Sequence, residues 1–96
     1  MSELTIVAKF RAKTGAAELL FSHLIQLVEP SRRDEGCINY DLHRSTEDEN
    51  LFLFYENWNS KELWGKHMQT EHLRSFKERA KNLIESNELW QFEKIK

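Results

Sequence analysis

The 96-residue chain contains one cysteine, one proline and three glycines. A single cysteine forms no internal disulfide, and it anchors no metal site without other ligands, so the expected setting is reducing and cytoplasmic. So few glycines and prolines leave no room for a flexible linker or a low-complexity stretch. Uninterrupted apolar runs are only a few residues long, too short to cross a membrane as a helix. The opening residues Met1-Ser2-Glu3-Leu4 lack the charged-then-apolar pattern of a leader. Fourteen Lys and Arg face 16 Asp and Glu, for a net charge of −2, so there is no basic footprint for nucleic acid. The sequence also lacks a phosphate loop, a dinucleotide fingerprint and a Ser-His-Asp order, so no flavin or nicotinamide cofactor is expected.

What remains is globular. The chain is 40% hydrophobic and 11% aromatic, values that a disordered segment does not reach. At this length a single core forms, burying roughly 60–65% of the surface that the unfolded chain exposes. Residues 4–11 alternate as a strand, with Leu4, Ile6, Ala8 and Phe10 on one face. Ala17, Leu20, Phe21, Leu24, Leu27 and Val28 follow at helical spacing. Pro30 predicts a kink or break near residue 29, and Gly36 a left-handed stop. Residues 37–44 alternate again, with Ile38, Tyr40 and Leu42 opposite Asn39, Asp41 and His43. Residues 51–58 read as a strand that is apolar on both faces. Asn59 or Ser60 caps a helix carrying Leu63, Trp64, His67 and Met68. Thr70 caps a further stripe of Leu73, Phe76, Ala80, Leu83 and Ile84 that ends at Asn87, and 89–95 reads as a last strand.

This βαββαβ order predicts an α+β, ferredoxin-like domain over residues 4–93: a four-stranded antiparallel sheet with its helices on one face. The two-sided strand 51–58 implies an apolar open face. A second copy of the chain would cover it, so a homodimer through the sheet face is expected.

Four stretches then resemble the antibiotic biosynthesis monooxygenase (ABM) domain family. They are Glu29-Pro30-Ser31-Arg32 with Glu35-Gly36-Cys37, Tyr40-Asp41-Leu42-His43-Arg44, Phe54-Tyr55-Glu56-Asn57-Trp58, and His67 to Phe76 with its His-x-x-Thr-x-His pattern. The resemblance implies a dimeric α+β barrel with a pocket between sheet and helices in each subunit. It also implies a cofactor-independent monooxygenase that oxidises an electron-rich phenol, quinol or anthrone with dioxygen. Related branches degrade haem or process a phosphorylated signal. The haem branch carries Asn on the first strand and a ligand His on the second main helix, positions held here by Phe10 and Lys77. Haem ligation in that manner is therefore not expected.

Within this frame His67 is the candidate general base, because a neutral imidazole can take a phenolic proton near neutral pH. His72, Tyr55, Trp58, His23 and Phe10 are candidates for lining the substrate pocket. His72 follows His67 by five residues, about 140° around one continuous helix, so no metal pair is expected. A helix break at Thr70 would bring the two closer. Phe52, Phe54, Glu56 and Trp58 share a face that looks either to the helices or to a partner. On the second alternative Glu56 forms an ion pair across the seam. Arg32, Arg33, Asp34 and Glu35 read as a solvated charged face, and Cys37 as a small buried residue. Arg44 and Arg74 are the cations to test for an anionic substrate. Two other functions stay open: an isomerase or signal-degrading enzyme acting on a small phosphorylated substrate, and a non-catalytic dimeric module whose pocket is filled by aromatic side chains.

Overall fold

In the computed structural model, residues 3–96 are described; Met1 and Ser2, on which half of the leader expectation falls, lie outside them. The elements are β1 (Leu4–Ala12), α1 (Ala17–Ile25), α2 (Val28–Arg32), β2 (Cys37–Arg44), β3 (Leu51–Trp58), α3 (Lys61–His67), α4 (Glu71–Ala80) and β4 (Ile84–Phe92). The strands pair antiparallel in the order β2-β3-β1-β4. With the helices on one face, this is the expected ferredoxin-like α+β arrangement. No helix among the described residues is long and apolar enough to cross a membrane.

The register fixes which side chains look at the helices. Ala8 pairs with Phe54, Phe10 with Phe52 and Ile6 with Glu56. Ile6, Leu20, Leu24, Phe52, Phe54 and Trp58 are all fully buried, so the Phe52–Trp58 stripe faces the helices. That settles the orientation which alternation alone left open. The opposite face carries Thr5, Asn57, Asn39 and Asp41 in a hydrogen-bonded row, beside exposed Tyr55, Trp90 and Phe92. It is mixed polar and apolar, not the uniformly apolar face expected.

Two boundaries and one register differ from expectation, each for a local reason. The first helix breaks at Gln26–Leu27, ahead of Pro30. Pro30 then sits in the first turn of α2, where a missing amide hydrogen costs nothing. The stripe after Thr70 ends at Ala80, and Ile84 already pairs with Ala12 as the first residue of β4. Leu83 and Ile84 continue the apolar spacing of α4, but they belong to the turn and the strand. In β2 the register slips between Cys37 and Asn39, a bulge that turns Cys37 toward the helices and leaves Ile38 exposed.

Both expected caps form. The Ser60 hydroxyl accepts from the Leu63 amide at 3.2 Å, and the Thr70 hydroxyl from the Leu73 amide at 3.4 Å. Gly36 has φ +86°, and a Cβ there would lie 2.5 Å from Leu63 Cδ1. Glycine is needed twice over, for the left-handed backbone and for the close approach of α3.

Candidate functional site

The three-residue turn Met68–Thr70 divides two helices that one stripe would have joined. It carries His67 at the end of α3 and His72 at the start of α4. The Thr70 hydroxyl also donates to the His67 carbonyl at 2.8 Å, which locks the turn. As a result the two imidazoles come to one point. His67 Nδ1 donates to Asp34 Oδ2 at 2.8 Å, and His72 Nε2 donates to the same oxygen at 2.8 Å. Their rings lie 6.0 Å apart. The 140° separation expected of a continuous helix does not apply, because the helix is not continuous.

Asp34 was not legible as a site residue, because it stands in a run of mixed charges. The turn after α2 gives it a fixed backbone: its amide donates to the Ser31 carbonyl, and its own carbonyl accepts from the Cys37 amide. Its neighbour Arg32 turns away, to the Tyr40 carbonyl and Asp41.

His67 is only 2% exposed and packs against Trp58, with ring centroids 4.5 Å apart, and against Tyr40 at 5.4 Å. Burial holds its pKa below the usual imidazole range, and the bond to Asp34 opposes that shift without cancelling it. The imidazole is thus neutral near neutral pH. With the proton held on Nδ1, Nε2 is the free acceptor, and it makes no hydrogen bond among the described residues.

His67 lines a cavity of about 430 Å³ between the sheet and helices α3 and α4. Ala8, Phe10, Tyr40, Phe54 and Glu56 form its floor, Trp64, Met68, Leu73 and Phe76 its roof, and Lys77, Lys81 and β4 residues from Ile84 to Leu89 its open lip. The volume is within the range of small-molecule sites, and the walls are mostly apolar. Glu56 is 4% exposed and accepts the Trp58 indole N–H at 2.9 Å. Burial pushes its carboxyl up to about 7, against the smaller opposing effect of that bond. Burial likewise raises the Tyr40 phenol and moves the Cys37 thiol up to about 11, so neither is ionised near neutral pH.

A family model described as Antibiotic biosynthesis monooxygenase matches residues 4–79. The chain belongs to that family. It is 30% identical over 81 residues to "Putative monooxygenase YcnE" of Bacillus subtilis, across 84% of this chain and 85% of that protein. The crystal structure of PA3566 from Pseudomonas aeruginosa superposes with a TM-score of 0.96 at 33% identity, covering 100% of this chain and 97% of that one. "Uncharacterized protein sll1783" of Synechocystis is 27% identical over 81 residues, and the matched part is 55% of that protein's length.

In this ABM-family chain the sequence-derived candidates scatter. Phe10 and His67 line the cavity together. His72 is not on its wall; it touches Asp34 and lies 6.0 Å, ring to ring, from His67. Trp58 is fully buried behind His67 and holds Glu56 instead of lining the space. Tyr55, 43% exposed, points to the opposite face of the sheet, because it alternates with Phe54 and Glu56. It lines a shallow depression there with Thr5, Asn57 and Phe92. His23, on α1, lies off the cavity, and its buried Nδ1 has no hydrogen-bond partner among the described residues. Glu56 makes no seam ion pair, since it faces the helices. Arg44 covers Phe21 and Phe52 and pairs with Glu18, while Arg74 pairs with Glu71, so neither reaches the cavity. The cations at its lip are Lys77 and Lys81. Lys77 and Phe10 line the same space.

Proposed function

We propose that this ABM-family protein is a cofactor-independent monooxygenase that oxidises an electron-rich phenol, quinol or anthrone with dioxygen. The observation that carries the reading is the free Nε2 of a neutral, Asp34-oriented His67 beside an apolar cavity large enough for fused rings. His67 removes the proton that turns the substrate into an electron-rich anion, and the anion reduces dioxygen directly. For an anthrone methylene the balance closes without added reductant. Carbon–oxygen bond formation gives a hydroperoxide; loss of the remaining C–H proton and of hydroxide then gives the carbonyl and one water. The four electrons come from the substrate carbon. Phe10, Phe54 and Phe76 orient a planar ring system, and Glu56, protonated in part near neutral pH, stands where a proton could return to the leaving oxygen. Asp34 is the positioning residue for the base.

The reading includes a homodimer through the open sheet face, where Tyr55, Trp90 and Phe92 are exposed, a cytoplasmic setting, and a single unit over residues 4–93. A second reading is favoured by Lys77 and Lys81 at the lip: an isomerase or signal-degrading enzyme whose small phosphorylated substrate docks its anion there.

The deciding experiment is dioxygen uptake by metal-stripped protein, without flavin or nicotinamide, on reduced naphthoquinols and anthrones. Uptake above autoxidation that is lost in His67→Gln is expected. Uptake intact in a folded His67→Gln protein removes His67 as the base, and no uptake on any substrate moves the weight to the second reading.

A further inference from the structure

The cluster around Asp34 contains more than a base needs. One carboxylate would orient His67, yet His72 is aimed at the same oxygen from a different helix. One donor atom from each of Asp34, His67 and His72 lies within 4.8 Å of the other two, and Asp34 Oδ2 is 2.8 Å from both His67 Nδ1 and His72 Nε2. Two imidazole nitrogens and a carboxylate oxygen are a donor set suited to a divalent first-row transition ion. In a tetrahedral zinc site, with bonds near 2.0–2.1 Å, ligand atoms stand about 3.3 Å apart. The two 2.8 Å contacts here are shorter, so opening around an ion takes shifts of about half an ångström.

The backbone of each ligand is already fixed. Asp34 is held by the turn closing onto β2, and the two histidines by the Thr70 hydroxyl and the ends of α3 and α4. The exposure is graded as a three-ligand site requires: the His67 side chain is buried, while Asp34 and His72 are partly open and leave a solvent-facing position for a fourth ligand. We infer that Asp34, His67 and His72 form a binding site for a divalent transition-metal ion of the zinc class, completed by water.

The inference is independent of the monooxygenase reading and bears on it. An ion on Nδ1 of His67 takes the place of the proton now shared with Asp34, and that proton moves to Nε2. The free acceptor of this cavity-lining ring becomes a donor, so the metal-loaded protein lacks its base. Metal and base function exclude one another at the same ring, and zinc is expected to suppress any activity that needs His67 as an acceptor.

Calorimetric titration of metal-stripped protein with Zn²⁺ tests the site directly, with Co²⁺ absorption as a geometric report. One ion per chain is expected, with affinity reduced at least about tenfold in Asp34→Asn and in His72→Ala. His43→Ala is the control and binds as the parent does. No uptake of either ion overturns the proposal, and so does binding that both variants leave unchanged. Histidine side-chain NMR of the unsubstituted protein covers the case of a variant that fails to fold. On adding Zn²⁺, the His67 and His72 imidazole signals should move while those of His23 and His43 stay; movement confined to His23 or His43 overturns the inference. Because binding is read without substrate, failure here leaves the monooxygenase reading standing, and failure there leaves this one.

Discussion

Strand β3 presents two chemistries from one run of eight residues. Toward the helices it places Phe52, Phe54, Glu56 and Trp58, all buried; toward the open side it places Leu51, Leu53, Tyr55 and Asn57. On the covered side a carboxylate is stripped of water, has Trp58 as its one side-chain partner among the described residues, and moves its pKa to about 7. On the open side Asn57 donates to Asn39 and accepts from Thr5, polar groups that satisfy one another at no such cost. The same alternation therefore yields a face with a strongly shifted carboxyl and a face of mutually bonded polar groups. What separates them is desolvation, not residue type.

The sharpest way to break the contrast is at the base. His67→Gln should lower dioxygen uptake by about 10²–10⁴-fold while the far-ultraviolet circular dichroism is retained. Asp34→Asn should act on the same step through orientation. Its loss should be smaller and should appear in kcat more than in KM, because the carboxylate lies behind the ring and not on the cavity wall. Equal losses in the two variants would mean that Asp34 touches substrate.

The covered side also depends on Gly36, which brings the Asp34 turn against α3. Gly36→Ala must adopt a left-handed backbone and place its Cβ against Leu63, so urea unfolding should show a loss of about 2–4 kcal/mol. A neutral result would mean that α3 shifts freely, and the convergence on Asp34 with it.

Glu56 gives a signed pH effect. Its folded pKa of about 7 lies above that of an unfolded glutamate, so the folded state holds the proton through the interval between them. Its contribution to stability is therefore full below about pH 4.3, falls as pH rises toward 7, and is lost above that. His67 runs the other way. Its lowered pKa costs stability as pH falls below about 6.5, since the unfolded imidazole then binds protons that the folded one refuses. The parent protein shows the sum of the two. Glu56→Gln isolates the first, because glutamine still accepts from Trp58 and carries no charge. The variant should be more stable to unfolding than the parent at pH 8, by about 1–3 kcal/mol, with the difference vanishing near pH 4.

Much of the fold was legible because it rests on local chemistry. Alternation placed three strands, and Ser60, Thr70 and Gly36 marked their helix ends by the bonds and backbone they provide. Two boundaries were hidden by residues that fit either side of them. Ile84 keeps the helical spacing of α4 yet pairs with Ala12, and Pro30 suits the first turn of a new helix as well as the end of an old one. The site was less legible. His67 and Phe10 stood out, but Asp34 sat in a charge run that reads as solvent-facing, and only the turn at Gly36 carries it to the histidines. Tyr55 was misplaced for a different reason: on a strand apolar on both faces, hydropathy does not say which face the helices cover.

Tyr55 also sets the smallest expected effect and the finest test of the comparison. Tyr55→Phe removes a hydroxyl from the open face, where the structure gives it no part in the cavity, so uptake and its pH profile should match the parent's. Stability should change by less than about 0.5 kcal/mol, as for an exposed substitution. On the proposed homodimer, Trp90→Asp on the same face should instead report assembly, because burying a new carboxylate in a sheet-to-sheet seam would be costly. Sedimentation should then show a smaller species than the parent, with the cavity chemistry retained per chain. If Tyr55→Phe or Trp90→Asp lowers the activity of each chain, the two faces are coupled through assembly, and the open face is part of the site after all.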